Sequence, residues 1–293
     1  MKLPHILLAL LVTAVWGFNF VVIKVGIDNF PPILFSALRF TAAALPLAFF
    51  VPRPAIAWRY VIAIAVVLGI VKFTLLFWSM HVGLSAGLSS LVLQSQAFFT
   101  IMLAAFVLAE RPTRMQLLGI FVAFCGIALI ALTVDGSITI TGLALAIAAA
   151  FMWAISNLLM KQAGKVDMFR LMVHVSLIPP IPLFALSLMI EGWEADMAAL
   201  SSVSWAGVGA VLYIAYGATI FGFAVWGTLI GTYGAGRIAP FSLLVPIFGM
   251  SSSALFLGET FGPLRMAAAA LVLAGLMLTL VRKRAPLAEV GAA

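Results

Sequence analysis

Charge is scarce in this 293-residue sequence: only 9% of the residues are Asp, Glu, Lys or Arg, whereas 65% are hydrophobic. Soluble domains carry about 25% charged and about 45–50% apolar residues, so a soluble fold is excluded. Runs without a charged residue extend over 73–109, 115–134, 136–160, 171–190, 197–236 and 238–258. Because a helix needs about 20 apolar residues to cross a bilayer, the sequence predicts an all-α membrane protein surrounded by a lipid bilayer.

Cysteine and histidine are almost absent. Cys125 is the single cysteine and there are 3 histidines, so an intrachain disulfide and a multi-cysteine metal site are excluded. The sequence offers neither a nucleophile with its base nor a metal cluster for an intramembrane enzyme. We therefore expect no catalytic residue, no metal and no cofactor. A non-transporting receptor or scaffold is the alternative class to a transporter.

Acidic residues are the scarcer charge, with 9 Asp and Glu against 16 Lys and Arg and a net charge of +7. In a membrane protein the basic residues report orientation, because Lys and Arg accumulate on the cytoplasmic side, so we expect no nucleic-acid partner. With both termini in the cytoplasm, the basic residues on that side are Lys2, Arg53, Arg59, Arg111, Arg114, Lys161, Lys165, Arg170, Arg237, Arg282, Lys283 and Arg284. This bias predicts cytoplasmic termini and an acidic loop, 191–196, on the outside.

Prolines, glycines and charge clusters divide the chain into ten predicted transmembrane helices. These extend over 5–24, 32–50, 60–81, 88–109, 115–133, 142–161, 170–190, 205–229, 235–257 and 264–281. Pro46, the prolines of 179–182, Pro240 and Pro246 should bend three of them, since each proline removes a backbone hydrogen bond. Such bends either shape a cavity or act as hinges.

One sequence pattern occurs twice. The segment WGFNFVVIK at 16–24 returns as WAISNLLMK at 153–161, in the second half of the chain. A second pair lies at a slightly larger separation: Ser85-Ala86-Gly87 followed by Glu110, and Gly234-Ala235-Gly236 followed by Glu259. Five helices is an odd number, so two copies cross the membrane in opposite senses. The sequence predicts two inverted five-helix repeats, 1–134 and 135–284, with a site between them, and a cytoplasmic tail, 285–293.

These motifs resemble a known family. The stretch 16–20, the tripeptide Leu38-Arg39-Phe40 and the helix-terminal Glu110 and Glu259 are similar to those of the ten-helix, EamA-type members of the drug/metabolite transporter superfamily. Over 5–282 the sequence also resembles the bacterial aromatic amino-acid exporters of the YddG type. The resemblance implies export of aromatic and other neutral amino acids across the bacterial inner membrane by alternating access.

Efflux of other small metabolites or drugs is the alternative to amino-acid export. Lipophilic cations are the less favoured cargo, because their efflux usually needs a carboxylate within the membrane. The sequence places its carboxylates at helix ends or in connections.

Lys72 is the main candidate for binding substrate. It lies in the middle of the third predicted helix, where a charge costs about 2.5–3.5 kcal/mol on insertion scales, so it should face an aqueous cavity or a partner. A cation among aromatic rings suits a carboxylate attached to an apolar or aromatic group. The alternative is that Lys72 snorkels or forms a structural ion pair. Arg39 lies nearer a helix end, which favours a structural ion pair or an interfacial anchor.

Aromatic and polar side chains on other predicted helices complete the candidate site. The predicted substrate-binding residues are Trp16, Asn19, Lys72, Trp78, His81, Gln94, Trp153, Asn157, Tyr213 and Trp226. Each has a structural alternative: the amides hold substrate or bond neighbouring helices, and the aromatic rings line a cavity or pack. His81 either couples protons to export or makes an ordinary hydrogen bond. Glu110 and Glu259 are interpreted as helix caps or ion-pair partners, and the oligomeric state stays open, a monomer included.

Overall fold

The computed structural model describes residues 1–133 and 138–280. Within these ranges the regular secondary structure is helical, apart from one isolated bridge between Leu84 and Ile138. Nine helices there are long and apolar enough to cross a membrane, and a bent pair of shorter helices makes a tenth candidate. The predicted all-α membrane architecture is confirmed. The predicted boundary between the repeats at 134 and 135 and the predicted tail, 285–293, lie outside the described residues.

We number the membrane-spanning segments as spans 1 to 10 in chain order. They are Leu3–Asn29, Pro32–Phe49, Trp58–His81, Ala86–Val107, Arg114–Ala131, Ile140–Ala163, the bent pair Met168–Ser176 and Pro180–Ile190, Trp205–Tyr233, Ala235–Leu257 and Pro263–Leu280. A short helix, Trp193–Ser201, lies between spans 7 and 8.

Spans 1 and 8 continue at least four residues past their predicted ends. Span 1 ends at Asn29 rather than at residue 24, because Lys24 pairs with Asp28 one turn later and so supports the helix instead of ending it. Span 8 ends at Tyr233 rather than at residue 229. The chain leaves this helix at Gly234, whose φ of 81° suits glycine.

Prolines mark the breaks in the spans, as predicted. Span 7 bends by 41° at its prolines. The α-helix of span 2 ends at Ala44, just before Pro46. In span 9, Pro240 lies in the 3-10 segment Ala239–Leu243, and Pro246 lies in the first turn of the following helix. A proline is tolerated in a first turn because its missing N–H has no intrahelical acceptor there.

Irregular segments recur at matching positions in the two halves of the chain. Span 3 contains the π-helical segment Ala65–Lys72, and span 8 contains the π-helical segment Tyr213–Phe221. Their last residues are separated by the same length of chain as Glu110 and Glu259. Span 4 contains the 3-10 segment Leu93–Ser95, which corresponds to the one in span 9. Since π-helical turns are rare and frequent at functional sites, this correspondence draws attention to spans 3 and 8.

Spans 5 and 10 pack backbone to backbone. A Cβ on Gly119 would lie 2.5 Å from the carbonyl oxygen of Gly275, and one on Gly126 would lie 2.8 Å from that of Ala268. Ala268 follows Gly119 in the chain at the same distance as Gly275 follows Gly126. Exchanging the two halves therefore converts one contact into the other. Small residues permit such close approach between helices in a membrane.

The first span of each half packs against the other half. Span 1 contacts spans 8 and 9, whereas span 6 contacts spans 3 and 4. This arrangement brings Trp16 of span 1 to span 8 and Trp153 of span 6 to span 3. The two copies of the repeated tryptophan are thus held at contacts between the halves.

The ends of the spans lie on two opposite faces of the helix bundle. We call the face that contains the start of span 1 the N-terminal face. On the N-terminal face, His5 Nδ1 lies 2.7 Å from the Tyr233 hydroxyl, joining the start of span 1 to the end of span 8. On the opposite face, the Glu191 carboxylate accepts hydrogen bonds from the Ile33 and Leu34 amides at 2.7 and 3.0 Å, joining the end of span 7 to the start of span 2.

Candidate functional site

Lys72 lies in the interior of the helix bundle, at the last residue of the π-helical segment of span 3. Its side chain is 3% exposed. Its Nζ lies 3.5 Å from the centre of the Phe73 ring and 4.6 Å from that of Trp153. At about 1.5 Å per residue, Lys72 sits about 14 Å along the helix from the end of the span. Lys72 therefore neither snorkels to an interface nor forms an ion pair in the described residues.

Arg39 is buried beside it, with 1% of its surface exposed. Its guanidinium carbon lies 3.9 Å from the centre of the Phe40 ring and 3.8 Å from that of Phe73. The predicted structural ion pair is wrong: no ion pair within 1–133 and 138–280 involves Arg39. The predicted interfacial anchor is wrong as well, since the side chain is buried. Aromatic rings take the place of a carboxylate, because the acidic residues of this region lie at span ends.

Arg39 and Lys72 share one aromatic ring. The guanidinium carbon lies 3.8 Å and the ammonium nitrogen 3.5 Å from the centre of Phe73, so the two cations are close neighbours. Two buried cations without a carboxylate repel each other, and each has lost its hydration. Cation–π contacts offset only part of that cost. The charge of this cluster favours an anionic group close to both cations.

Trp16, Trp226 and Tyr213 come together where span 1 meets span 8. The Trp16 and Trp226 ring centres are 5.2 Å apart. Trp16 Nε1 donates a hydrogen bond to the Ala218 carbonyl oxygen at 2.8 Å, within the π-helical segment. The Tyr213 hydroxyl donates to the Val15 carbonyl oxygen at 2.9 Å. These two hydrogen bonds link span 1 to span 8. The faces of the aromatic rings are left to pack against neighbours or to contact a ligand.

Trp153 and Trp16 border one apolar cluster. Phe77 belongs to that cluster and Phe73 packs against it, and both rings lie near the Arg39 guanidinium group. The aromatic residues of spans 1, 3 and 6 are therefore continuous with the two buried cations. Phe73 is the residue that these groups share. It is not among the residues predicted from the sequence, although its position next to Lys72 was the available signal.

The amide side chains differ in how they are satisfied. Asn157 Nδ2 donates to Gln96 Oε1 at 2.7 Å, joining span 6 to span 4. Gln94 Nε2 donates to the Ser242 carbonyl oxygen at 3.1 Å, joining the 3-10 segments of spans 4 and 9. Asn19 Oδ1 is buried and has no donor among the described residues. Of the three predicted amides, Asn19 alone keeps a buried acceptor without a protein partner in that part of the chain.

Trp78 and His81 lie away from Lys72, at the end of span 3. Their ring centres are 5.7 Å apart. They line a cavity of about 440 Å³ at the opposite face, together with Asn29, Pro31 and Glu191. The structure thus separates Trp78 and His81 from Lys72 and Trp153.

Glu110 and Glu259 act at helix ends, as predicted. The Glu259 carboxylate accepts hydrogen bonds from the Ala86 and Gly87 amides at 2.7 and 3.0 Å, at the start of span 4. Glu110 forms an ion pair with Lys161, at the end of span 6. Helix N-termini stabilise negative charge because their first amides lack intrahelical acceptors.

A bundle of ten apolar spans with buried charges at its centre is typical of a membrane transporter. The EamA-like transporter family matches residues 3–132 and again residues 140–281. The chain belongs to this family, and it is a multi-pass membrane transporter. The double match also agrees with the internal repetition seen in the sequence.

Relatives cover most of this chain. It is 42% identical over 275 residues to the probable amino-acid metabolite efflux pumps of Salmonella typhimurium and Escherichia coli, with 92% of each chain covered. It is 30% identical over 302 residues to the probable terminal-alkyne amino-acid exporter of Streptantibioticus cattleyicolor, with 97% of both covered. A solved structure with a TM-score of 0.62 covers 95% of this chain and 98% of its own at 16% identity, and supports the fold alone.

Proposed function

We propose that this protein exports amino acids, aromatic and other neutral ones included, across the bacterial inner membrane with both termini in the cytoplasm. The observation that carries the proposal is the position of Lys72: a buried ammonium group between aromatic rings, with no ion-pair partner in the described residues. A carboxylate would pair with the ammonium group, and an aromatic side chain would stack on rings such as Trp153. The names of the relatives support the same cargo.

Alternating access is the second part of the proposal. The halves would form inverted repeats, with the cargo bound between them and exposed to one side at a time. Two observations support this arrangement: the mirrored contacts of Gly119 and Gly126 with span 10, and the matching π-helical segments of spans 3 and 8. Trp16, Trp153, Asn19, Tyr213 and Trp226 would line the central site.

Efflux of other metabolites is the alternative, with lipophilic cations the least suited cargo. Such cations pair with intramembrane carboxylates. In the described residues the carboxylates lie at span ends, in connections or in the short helix Trp193–Ser201.

Flux measurements with purified protein in proteoliposomes test the proposal. We expect saturable flux of radiolabelled phenylalanine and threonine, reduced at least about tenfold in Lys72→Met, because a lost charge-assisted contact is worth about 1.5–3 kcal/mol. Lys165→Met, which removes an exposed ammonium group, is the matched control and should transport normally. No flux of either amino acid through folded wild-type protein would refute amino-acid export. Normal flux through Lys72→Met would refute the role of Lys72 alone.

A further inference from the structure

We infer that Arg39 binds the carboxylate of the cargo together with Lys72, so that the site accepts carboxylates and rejects molecules with a net positive charge. The inference rests on the proposed function and names the chemistry of its cargo. Its first basis is the guanidinium group itself. Nε and Nη2 are both buried and have no hydrogen-bond partner among the described residues.

The two free nitrogens of Arg39 form one binding edge. The N–H bonds of Nε and Nη2 point the same way along one side of the planar group, and this fork matches the two oxygens of a carboxylate. The rings of Phe40 and Phe73 lie close to the guanidinium carbon. Rings can cover the faces of a guanidinium group but cannot accept its in-plane hydrogens, so the edge still lacks a hydrogen-bond acceptor, and a carboxylate is the acceptor that matches both its charge and its shape.

The second basis is the total charge of the site. The Lys72 ammonium group and the Arg39 guanidinium group lie on the same Phe73 ring, 3.5 and 3.8 Å from its centre. An incoming carboxylate is attracted by both cations. A cargo with a second ammonium group, or with an ammonium group and no carboxylate, is repelled by both. The site should therefore bind phenylalanine or glutamate and reject lysine or phenylalaninamide.

Competition experiments test this assignment. Phenylalaninamide has the same ring as phenylalanine but lacks the carboxylate, so we expect it and lysine to inhibit phenylalanine flux at least about tenfold more weakly than phenylalanine does. In Arg39→Gln the half-saturating concentration of phenylalanine should rise about 10- to 100-fold, and the preference over phenylalaninamide should shrink. Arg39→Lys, which keeps the charge but not the fork, should be intermediate. Arg59→Gln removes an exposed guanidinium group and is the control.

The outcomes separate three conclusions. A structural role would weaken both ligands equally in Arg39→Gln and Arg39→Lys and leave the preference unchanged, which would overturn the inference. Wild-type transport of lysine or phenylalaninamide as efficient as that of phenylalanine would overturn it as well. A wild-type protein that is folded but moves none of these compounds would instead refute the proposed function. If Arg39→Gln does not fold, Arg39→Lys carries the test.

Discussion

The two π-helical segments differ in what they present to the centre of the protein. The segment of span 3 ends at Lys72, and the segment of span 8 ends at Phe221, the corresponding position of the second half. Beside Lys72 lies Arg39 with two unsatisfied nitrogens, whereas the span 8 segment receives a hydrogen bond from Trp16 and donates one through Tyr213. The two halves share their irregular helical segments but differ in the side chains that these carry. The first half contributes buried cationic groups, whereas the second contributes aromatic surface and hydrogen bonds to span 1.

The largest effect on stability is expected when a charge is placed at the corresponding position of the second half. Phe221→Lys adds an ammonium group in the middle of span 8. We expect the free energy of unfolding to fall by about 2.5–3.5 kcal/mol, the cost of a mid-membrane charge, as measured by thermal unfolding in detergent. Phe221→Met controls for the lost ring. A loss no larger than that of the control would mean that the second half tolerates charge equally well.

Removing the charge of Lys72 from the first half should change the stability in the opposite direction. Lys72→Met replaces a buried, unpaired cation by an apolar side chain of similar volume, and such replacements often stabilise by about 1–3 kcal/mol. We expect a higher unfolding temperature together with reduced flux, because binding sites trade stability for function. Lys165→Met should change stability by less than about 0.5 kcal/mol. A destabilised Lys72→Met would indicate a structural partner for Lys72.

The residues before Glu110 and Glu259 offer a smaller test of whether the two halves are equivalent. Ala109 and Gly258 both have left-handed backbone angles, with φ of 54° and 67°. A residue with a Cβ costs about 1–2 kcal/mol in this conformation, whereas glycine does not. Ala109→Gly should therefore raise the free energy of unfolding by about 1 kcal/mol, and Gly258→Ala should lower it by a similar amount. Denaturant unfolding of both variants checks the pair. Changes of the same sign would show that the two turns are not equivalent.

The exposed ion pair between Glu110 and Lys161 should matter least. Both side chains are about half exposed, at 52% and 53%, and such pairs contribute about 0.2–1 kcal/mol. Lys161→Met should cost no more than this, and high salt should erase the difference from wild type because it screens exposed charges. A larger, salt-resistant loss would mean that Lys161 has a further structural role.

The sequence was most informative where local chemistry decides the structure. The ten spans, the breaks at Pro46, Pro179–Pro182 and Pro240, and the helix-end roles of Glu110 and Glu259 follow from backbone rules and from charge. For span 1 the charge pattern predicts an end at residue 24, whereas the helix continues to Asn29 because Lys24 and Asp28 stabilise its last turns.

The central site was harder to derive, because its partners come from different spans. The sequence identified Lys72 as a buried cation, but for Arg39 it favoured a structural ion pair or an interfacial anchor. The guanidinium group is instead buried and contacts Phe73 on span 3. Trp78 and His81 shared a span with Lys72 and were grouped with it. Trp78 and His81 are nevertheless distant from Lys72 along the helix, because they lie beside the cavity at its end.

The contact between spans 5 and 10, which we call the seam, also indicates how a chain with two similar halves can evolve. Gly119 meets Gly275, and their counterparts Ala268 and Gly126 meet in the same way. Two identical subunits that pair about a two-fold axis make this kind of reciprocal contact. The seam thus has the form of a homodimer interface enclosed in one polypeptide, and a gene for five helices would already encode it. Two fragments produced separately, divided between spans 5 and 6, should reassemble along this seam.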